Sequence, residues 1–267
     1  IGLSKHYLGR LPDLVEKKTR TGTIITYVIE DTIEGWADSI QVLLNCYFKN
    51  TPFSGRKIVF DYSKIRSAGS ILKTGGGKAP GHEGLKKALV KIKKHLDHII
   101  EYKGQGRLKS VDAYDILMHC ADAVLSGGVR RSATSIIFEP DDEDMMNSKI
   151  YHKVEKVFSF DHVKDKTVNN KITKVYEGKV LFEGEKRDVE IEEWELKKLK
   201  KDKLIWWKRL NPQRGRSNNS VLLERENCSF SDLVKTIKRT REYGEPAFVF
   251  GVKGQLYNPC FEIGFLP

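Results

Sequence analysis

The 267-residue chain has room for one large domain or two modest ones, and can bury a core without metal or disulfide staples. With 39% hydrophobic and 31% charged residues, it reads as globular rather than fibrous or disordered, and it has no apolar run long enough to span a membrane. Its net charge of +11 favours anionic partners such as nucleotides or nucleic acid, a Lys-rich solvated surface being the plain alternative. Ile1-Gly2-Leu3-Ser4 has neither an initiator Met nor a signal-peptide pattern, so a piece of a longer protein is expected. Cys46, Cys120, Cys228 and Cys260 form no CxxC pair and no zinc spacing. Reduced thiols, a cytoplasmic location and no metal site among the seven histidines are therefore expected.

In chain order, Thr23–Ile29 is a β-branched run, and Asp31 with Glu34 three residues later forms a capping-box pattern. Ile33, Trp36, Ile40, Leu43, Leu44 and Tyr47 then recur at helical spacing. Arg56–Tyr62 reads as a buried strand, followed by glycine-rich turns around Ser67-Ala68-Gly69 and Gly75–Gly81. Leu85, Leu89, Ile92, Leu96 and Ile99 mark a second helix, with Lys86, Lys87, Lys93 and Lys94 outward and His95 and His98 expected in solvent. A third helix starts near Ser110 and stops at Ser126-Gly127-Gly128, and Thr134–Glu139 resumes as a strand. The alternation argues for an α/β architecture with a largely parallel sheet.

Residues 151–205 break this style. They are dense in Lys and Glu, with Val175-Tyr176 and Val180–Phe182 expected to pair across a Glu177-Gly178 turn and a charged helix over Glu192–Lys203. The stretch reads as an inserted small module, an inert surface expansion being the plainer account of it. Then follow Trp206-Trp207 as packing, a polar loop with Arg214, Arg216, Asn218 and Asn219, the strand Ser220–Leu223, a helix ending at Gly244, and the strand Ala247–Phe250.

Three groups of residues are candidates for chemistry. In an extended segment Asn258, Cys260 and Glu262 point the same way and present an amide, a thiol and a carboxylate to one pocket. By spacing alone, a buried Cys serving as a small hydrophobe is the commoner arrangement. Ser126-Gly127-Gly128-Val129-Arg130-Arg131 combines two glycines and two arginines in a loop suited to gripping an anion; a glycine helix stop with solvated arginines is an equal alternative. Arg214 and Arg216 beside Asn218 and Asn219 suit phosphate or base edges, or a polar turn.

The order of these signals is more specific than any one of them. Asp61–Gly69, the Gly75–Gly81 loop, Asp122–Ala133, Asn218-Asn219-Ser220, Gly244-Glu245-Pro246 and Asn258-Pro259-Cys260-Phe261-Glu262 together resemble the large catalytic chain of ribonucleotide reductases. Ile29–Trp36 and the Asp61 region are most similar to the class II, adenosylcobalamin-dependent branch. The resemblance implies the first half of a ten-stranded α/β barrel carrying a radical-cysteine finger loop, interrupted by the small β/α excursion. Residues 1–150 would be the first part of that half-barrel, 151–205 the insertion, and 206–267 its remainder with the finger loop.

The resemblance also implies roles. Cys260 becomes a transient thiyl that abstracts the ribose 3′-hydrogen, an S–H bond being close enough in strength to a ribose C–H for reversible transfer. Glu262 deprotonates the 3′-hydroxyl and Asn258 orients the ribonucleotide. Ser126, Gly127, Gly128, Val129, Arg130 and Arg131 form the loop through which a deoxynucleotide effector sets substrate choice, with Ser67, Ala68, Gly69, Asn218 and Asn219 as further substrate or effector contacts. Adenosylcobalamin is the expected cofactor, with a dithiol or thioredoxin-like reductant and possible completion of the barrel by a second polypeptide; no membrane partner is expected. Phe261 departs from the small residue usual in the family, and Cys46, Cys120 and Cys228 do not match its reducing pair. An iron-dependent class I reductase with a radical-delivering partner, and a non-catalytic basic nucleotide- or nucleic-acid-binding protein, are the alternative functions.

Overall fold

The computed structural model of the chain describes residues 2–3, 13–16, 23–71, 77–123, 133–168, 171–252, 256–257 and 264–265. Its elements are organised around three separate apolar cores.

The first core lies under two short parallel strands, β1 (Gly2–Leu3) belonging elsewhere: β2 (Ile24–Val28) and β3 (Lys57–Asp61) pair in register from Ile24↔Lys57 to Val28↔Asp61. Helix α1 (Ile33–Asn45) follows β2. Its N-cap is Thr32, whose hydroxyl accepts from the Gly35 N–H at 2.9 Å. Asp31, the expected cap, turns outward to pair with Arg66 at 2.5 Å. Helix α2 (Glu83–His98) buries Leu85, Leu89, Ile92 and Leu96 on one face, each stabilising the fold by roughly 1.5–3 kcal/mol. It runs into one π-helical turn (Ile99–Lys103) that Gly104 closes in the left-handed conformation, φ 61°.

The second core joins α3 (Ser110–Ala123) to a parallel sheet ordered β1–β4–β11–β12, with β4 at Ser135–Phe138, β11 at Asn218–Glu224 and β12 at Ala247–Gly251. Tyr114, Met118, Ile136, Phe138, Val221 and Leu223 fill it, together with Met145 and Met146 of the short helix α4 (Glu143–Met146). Between β11 and β12, helix α7 (Phe230–Tyr243) is capped by Ser229 and stopped by Gly244 at φ 79°, whose N–H reaches the Thr240 carbonyl at 2.8 Å.

The third core lies within residues 151–205 and Leu210. β5 (Tyr151–Lys153) and β10 (Leu204–Trp206) pair antiparallel as a stem. Beyond it β6 (Lys156–Val157), β7 (His162–Val168), β8 (Lys171–Phe182) and β9 (Glu185–Glu192) form an antiparallel sheet centred on β8 and backed by helix α5 (Glu193–Asp202). The expected Glu177-Gly178 turn does not exist. β8 runs through it, because the Phe160 ring lies over Gly178, where a Cβ would stand 2.5 Å from the ring. The turn falls at Glu183-Gly184 instead. After β10, the short helix α6 (Trp207–Leu210) and a 3₁₀ turn (Pro212–Arg216) lead to β11.

Two further strands, β13 (Leu256–Tyr257) and β14 (Gly264–Phe265), pair antiparallel, Leu256↔Phe265 and Tyr257↔Gly264. No helix among the described residues is long and apolar enough to cross a membrane.

Candidate functional site

The best-defined polar site surrounds the start of β11. Asn218 and Asn219 open this strand, in register with Ser135 and Ile136 of β4. The Asn218 N–H donates to the Thr134 carbonyl at 3.0 Å, and its side chain is exposed. Asn219 points inward: its Oδ1 accepts from Ser217 Oγ at 2.8 Å and its Nδ2 donates to Ser148 Oγ at 3.3 Å. Tyr114 OH shares a 2.9 Å hydrogen bond with Ser217 Oγ, and burial pushes this phenol well above its usual range. Lys149, also buried, donates to the Ser217 carbonyl at 2.7 Å and pairs with Glu245 at 2.5 Å.

Arg214 lies directly beneath. It is 7% exposed and forms a bidentate pair with Asp115, Nε–Oδ1 2.8 Å and Nη2–Oδ2 2.7 Å, while Nη1 reaches the Ser148 carbonyl at 2.6 Å. Burial opposes ionisation of Asp115, but the guanidinium outweighs it and holds the carboxyl below its ordinary value. Arg214 therefore supports the strand from within and is not available to read a phosphate or base edge. Arg216 behaves differently. It is partly exposed and pairs with Asp122 at 2.6 Å, in the last turn of α3; Lys91 of α2 reaches the same carboxylate at 3.6 Å.

Ser67-Ala68-Gly69 forms a tight turn, Ser70 N–H to Ser67 O 3.2 Å, with Gly69 N–H donating to the Ala79 carbonyl at 2.9 Å. Gly81, φ 71°, passes so close that a Cβ there would lie 3.0 Å from the Ala68 nitrogen. In the next turn a Cβ on Gly84 would meet the Ala123 carbonyl at 3.0 Å, so α2 begins against the end of α3. The structure thus brings the Ser67–Gly69 turn, the start of α2 and the end of α3 into one succession of close contacts. Ser126, Gly127, Gly128, Val129, Arg130 and Arg131 lie outside the described residues. The described chain leaves α3 at Ala123 and resumes at Ala133, next to Thr134 and Asn218.

Asn258, Cys260 and Glu262 also lie outside the described residues. The flanking strands β13 and β14 are paired, so the positions on either side of 258–263 are held one strand spacing apart.

His95 and His98 correct the sequence reading. Both turn inward from α2, and burial lowers the pKa of each. His119 on α3, which the sequence did not single out, is buried and lowered to about 4 by desolvation. Cys120 is pushed up to about 11 by burial, which leaves its thiol protonated at neutral pH. Among the described residues, no group of three or more His, Cys, Asp or Glu is arranged to hold a metal ion.

Comparison with known proteins adds to this geometry. Residues 12–96 match the family model described as "B12-dependent ribonucleotide reductase, insertion domain". The chain is 37% identical over 126 residues to an adenosylcobalamin-dependent ribonucleoside-triphosphate reductase of Lactobacillus delbrueckii subsp. bulgaricus, covering 47% of this chain and 16% of that protein. It is 35% identical over 113 residues to a putative enzyme of the same name from Mycobacterium phage D29, and 32% identical over 127 residues to a probable one from Dictyostelium discoideum. These matches cover 40% and 47% of this chain, and 16% and 15% of those relatives. A solved class II, B12-dependent ribonucleotide reductase shares the fold with a TM-score of 0.53 at 24% identity, over 89% of this chain and 23% of that one. The likeness to the class II branch read from the sequence is borne out. The chain spans about a sixth of the length of the curated relatives it matches.

Proposed function

From that likeness we propose that the chain is part of a catalytic subunit that reduces ribonucleotides to 2′-deoxyribonucleotides, with adenosylcobalamin as cofactor and a dithiol as reductant. The observation that carries this reading is the 126-residue match to reductases named for that cofactor. Cys260 is the hydrogen-abstracting thiol, Glu262 the base at the 3′-hydroxyl and Asn258 the orienting amide. The paired β13 and β14 support a loop reading of their segment, since they tie its two ends together.

The residues Ser126–Arg131 bind the effector, flanked by the Ser67–Gly69 turn and by Asn218 and Asn219. The close contacts that join the Ser67–Gly69 turn to α2's start and α3's end, and the Arg216–Asp122 pair that ties the chain just before Asn218 to that end, support the grouping. Residues 1–150 and 206–267 flank the inserted 151–205; outside residues 12–96, which match an insertion-domain model, they belong to one half of the ten-stranded barrel. Phe248 and Phe250 are exposed on the edge strand β12, which suits further strands beyond it. A ribonucleotide substrate, a deoxynucleotide effector, a thioredoxin-like reductant and a cytoplasmic site of action complete the reading.

The described residues do not themselves build a seat for a corrin. A cavity of about 730 Å³ is an open trough on the 151–205 sheet with charged walls such as Lys179, Lys186, Asp188 and Glu190.

The test is deoxyribonucleotide formation by the full-length protein containing this chain, with dithiol and with or without adenosylcobalamin. Product is expected only with the cofactor, and Cys260→Ala is expected to fall to background with deoxynucleotide binding retained. Cofactor-independent turnover that requires an iron protein would move the chain to class I. Full turnover by Cys260→Ala would refute the site.

A further inference from the structure

Besides the β5/β10 stem, residues 151–205 meet the rest of the chain where the β8–β9 turn sits on the end of α2. Glu183 and Gly184 there both have positive φ, 49° and 71°. A Cβ on Gly184 would lie 2.0 Å from the Tyr102 ring, so only glycine lets turn and ring share the space. Tyr102 in turn stacks on His98, ring centres 5.0 Å apart. Behind this contact is a cavity of about 190 Å³, walled by His95, Asp112 and Arg214 on one side and by His152, Glu183 and Arg187 on the other.

Three imidazoles line the seam. The Nε2 atoms of His95, His98 and His152 are all buried without a hydrogen-bond partner. His95 faces Asp112 and Asp115, but also Lys103 and Arg214. His98 faces Glu185 at 3.6 Å and Glu183 at 3.9 Å, opposed by Lys103 and Arg187, with Lys94 lying 3.9 Å from Glu185. His152 faces Arg214, Glu183 and Asp115 and hydrogen-bonds the Ser148 backbone. Burial lowers all three imidazoles, His152 to about 4, so each is neutral at neutral pH. Protonation in place would add a poorly hydrated cation beside Lys103, Arg187 or Arg214. Separating the two surfaces would hydrate every one of these groups.

We propose that residues 151–205 are seated by a proton-sensitive seam. With His95, His98 and His152 deprotonated the module is docked; in mild acid the Glu183-Gly184 turn lifts off the π turn while the rest of the chain stays folded. Because the docked imidazoles titrate below the ordinary histidine value of about 6.5, docking is strongest above that pH and weakens as pH falls towards 4. Glu183 acts in the same direction at lower pH. Burial pushes its carboxyl up, but Lys103 at 3.1 Å outweighs this and holds it low, so acid finally removes that pair as well.

The test is amide hydrogen exchange of the whole chain at pH 7.5 and pH 5, corrected for intrinsic rates. Amides of 99–104 and 182–186 are expected to lose protection together, by about tenfold or more beyond whatever loss β4 and β11 show. Retained protection at pH 4.5, or loss in step with β4 and β11, would overturn the proposal. A His98→Gln/His152→Gln double variant is expected to stay docked at pH 5; opening like the parent would count against these groups. Should that variant misfold, Gly184→Val provides the check. It is expected to expose 99–104 already at pH 7.5, and unchanged exchange there would sink the seam.

Discussion

Arg214 and Arg216 stand two positions apart and look alike in sequence, yet their energetics differ. Arg214 and Asp115 are both almost fully buried, so removing one partner strands the other charge in a dry interior. Arg214→Leu is expected to lower unfolding free energy by about 3–5 kcal/mol. Arg216→Leu, at a partly exposed pair, should cost no more than about 1 kcal/mol. Urea unfolding of both variants checks the contrast; equal losses would contradict the burial argument. Nothing local to 214–219 announces this division, because Asp115 is a distant residue on another element. His95 and His98 were misread for a similar reason. They share a helix with Lys93 and Lys94, and the groups that face them inside come from distant segments, Asp112 for His95 and Glu183 and Glu185 for His98.

At the scale of elements, the sequence was most legible where one face repeats. Ile33 to Tyr47, Leu85 to Ile99 and the stretch ending at Gly244 mark helices that the structure places at Ile33–Asn45, Glu83–His98 and Phe230–Tyr243. Gly244 was rightly read as the stop of the last. The β8 misreading shows the limit of local rules: Glu-Gly is a turn signal, and it occurs twice in that stretch. A ring from outside the strand decides between the two, since Phe160 occupies the space a side chain at 178 would need. Gly178→Val is accordingly expected to cost about 1–3 kcal/mol through overpacking. Phe160→Ala in the same chain should recover part of that loss, a coupling that a double-mutant cycle reads directly. Strict additivity would mean the ring is not what excludes a side chain.

For the molecule as a whole, the parallel sheet and α/β layering followed from alternation, whereas the division into three cores did not, because core membership is set by pairings between distant segments. The candidate catalytic residues were legible only as a motif; the described fold adds the strand pairing on either side of them. Acid stability belongs at this scale too. His119 is held at about 4 by burial, below its unfolded value, and its Nδ1 has no partner. Its contribution is complete above pH 6.5 and disappears as pH drops towards 4, by on the order of 3 kcal/mol. Unfolding free energies measured from pH 7 to 4.5 should therefore fall, and His119→Gln should flatten the slope. An unchanged slope would mean that histidine is not responsible.

The stem of the 151–205 module has an evolutionary consequence. Tyr151 lies opposite Trp206, and the Trp207 N–H donates to the Ile150 carbonyl at 3.1 Å, so the chain departs and returns at neighbouring points. A segment with adjacent ends and a core of its own can be gained, lost or exchanged in a single genetic event without re-routing the polypeptide on either side. Lineages carrying this architecture are thus free to vary greatly in length at that one point while Lys149, Arg214 and Asn219 keep their places.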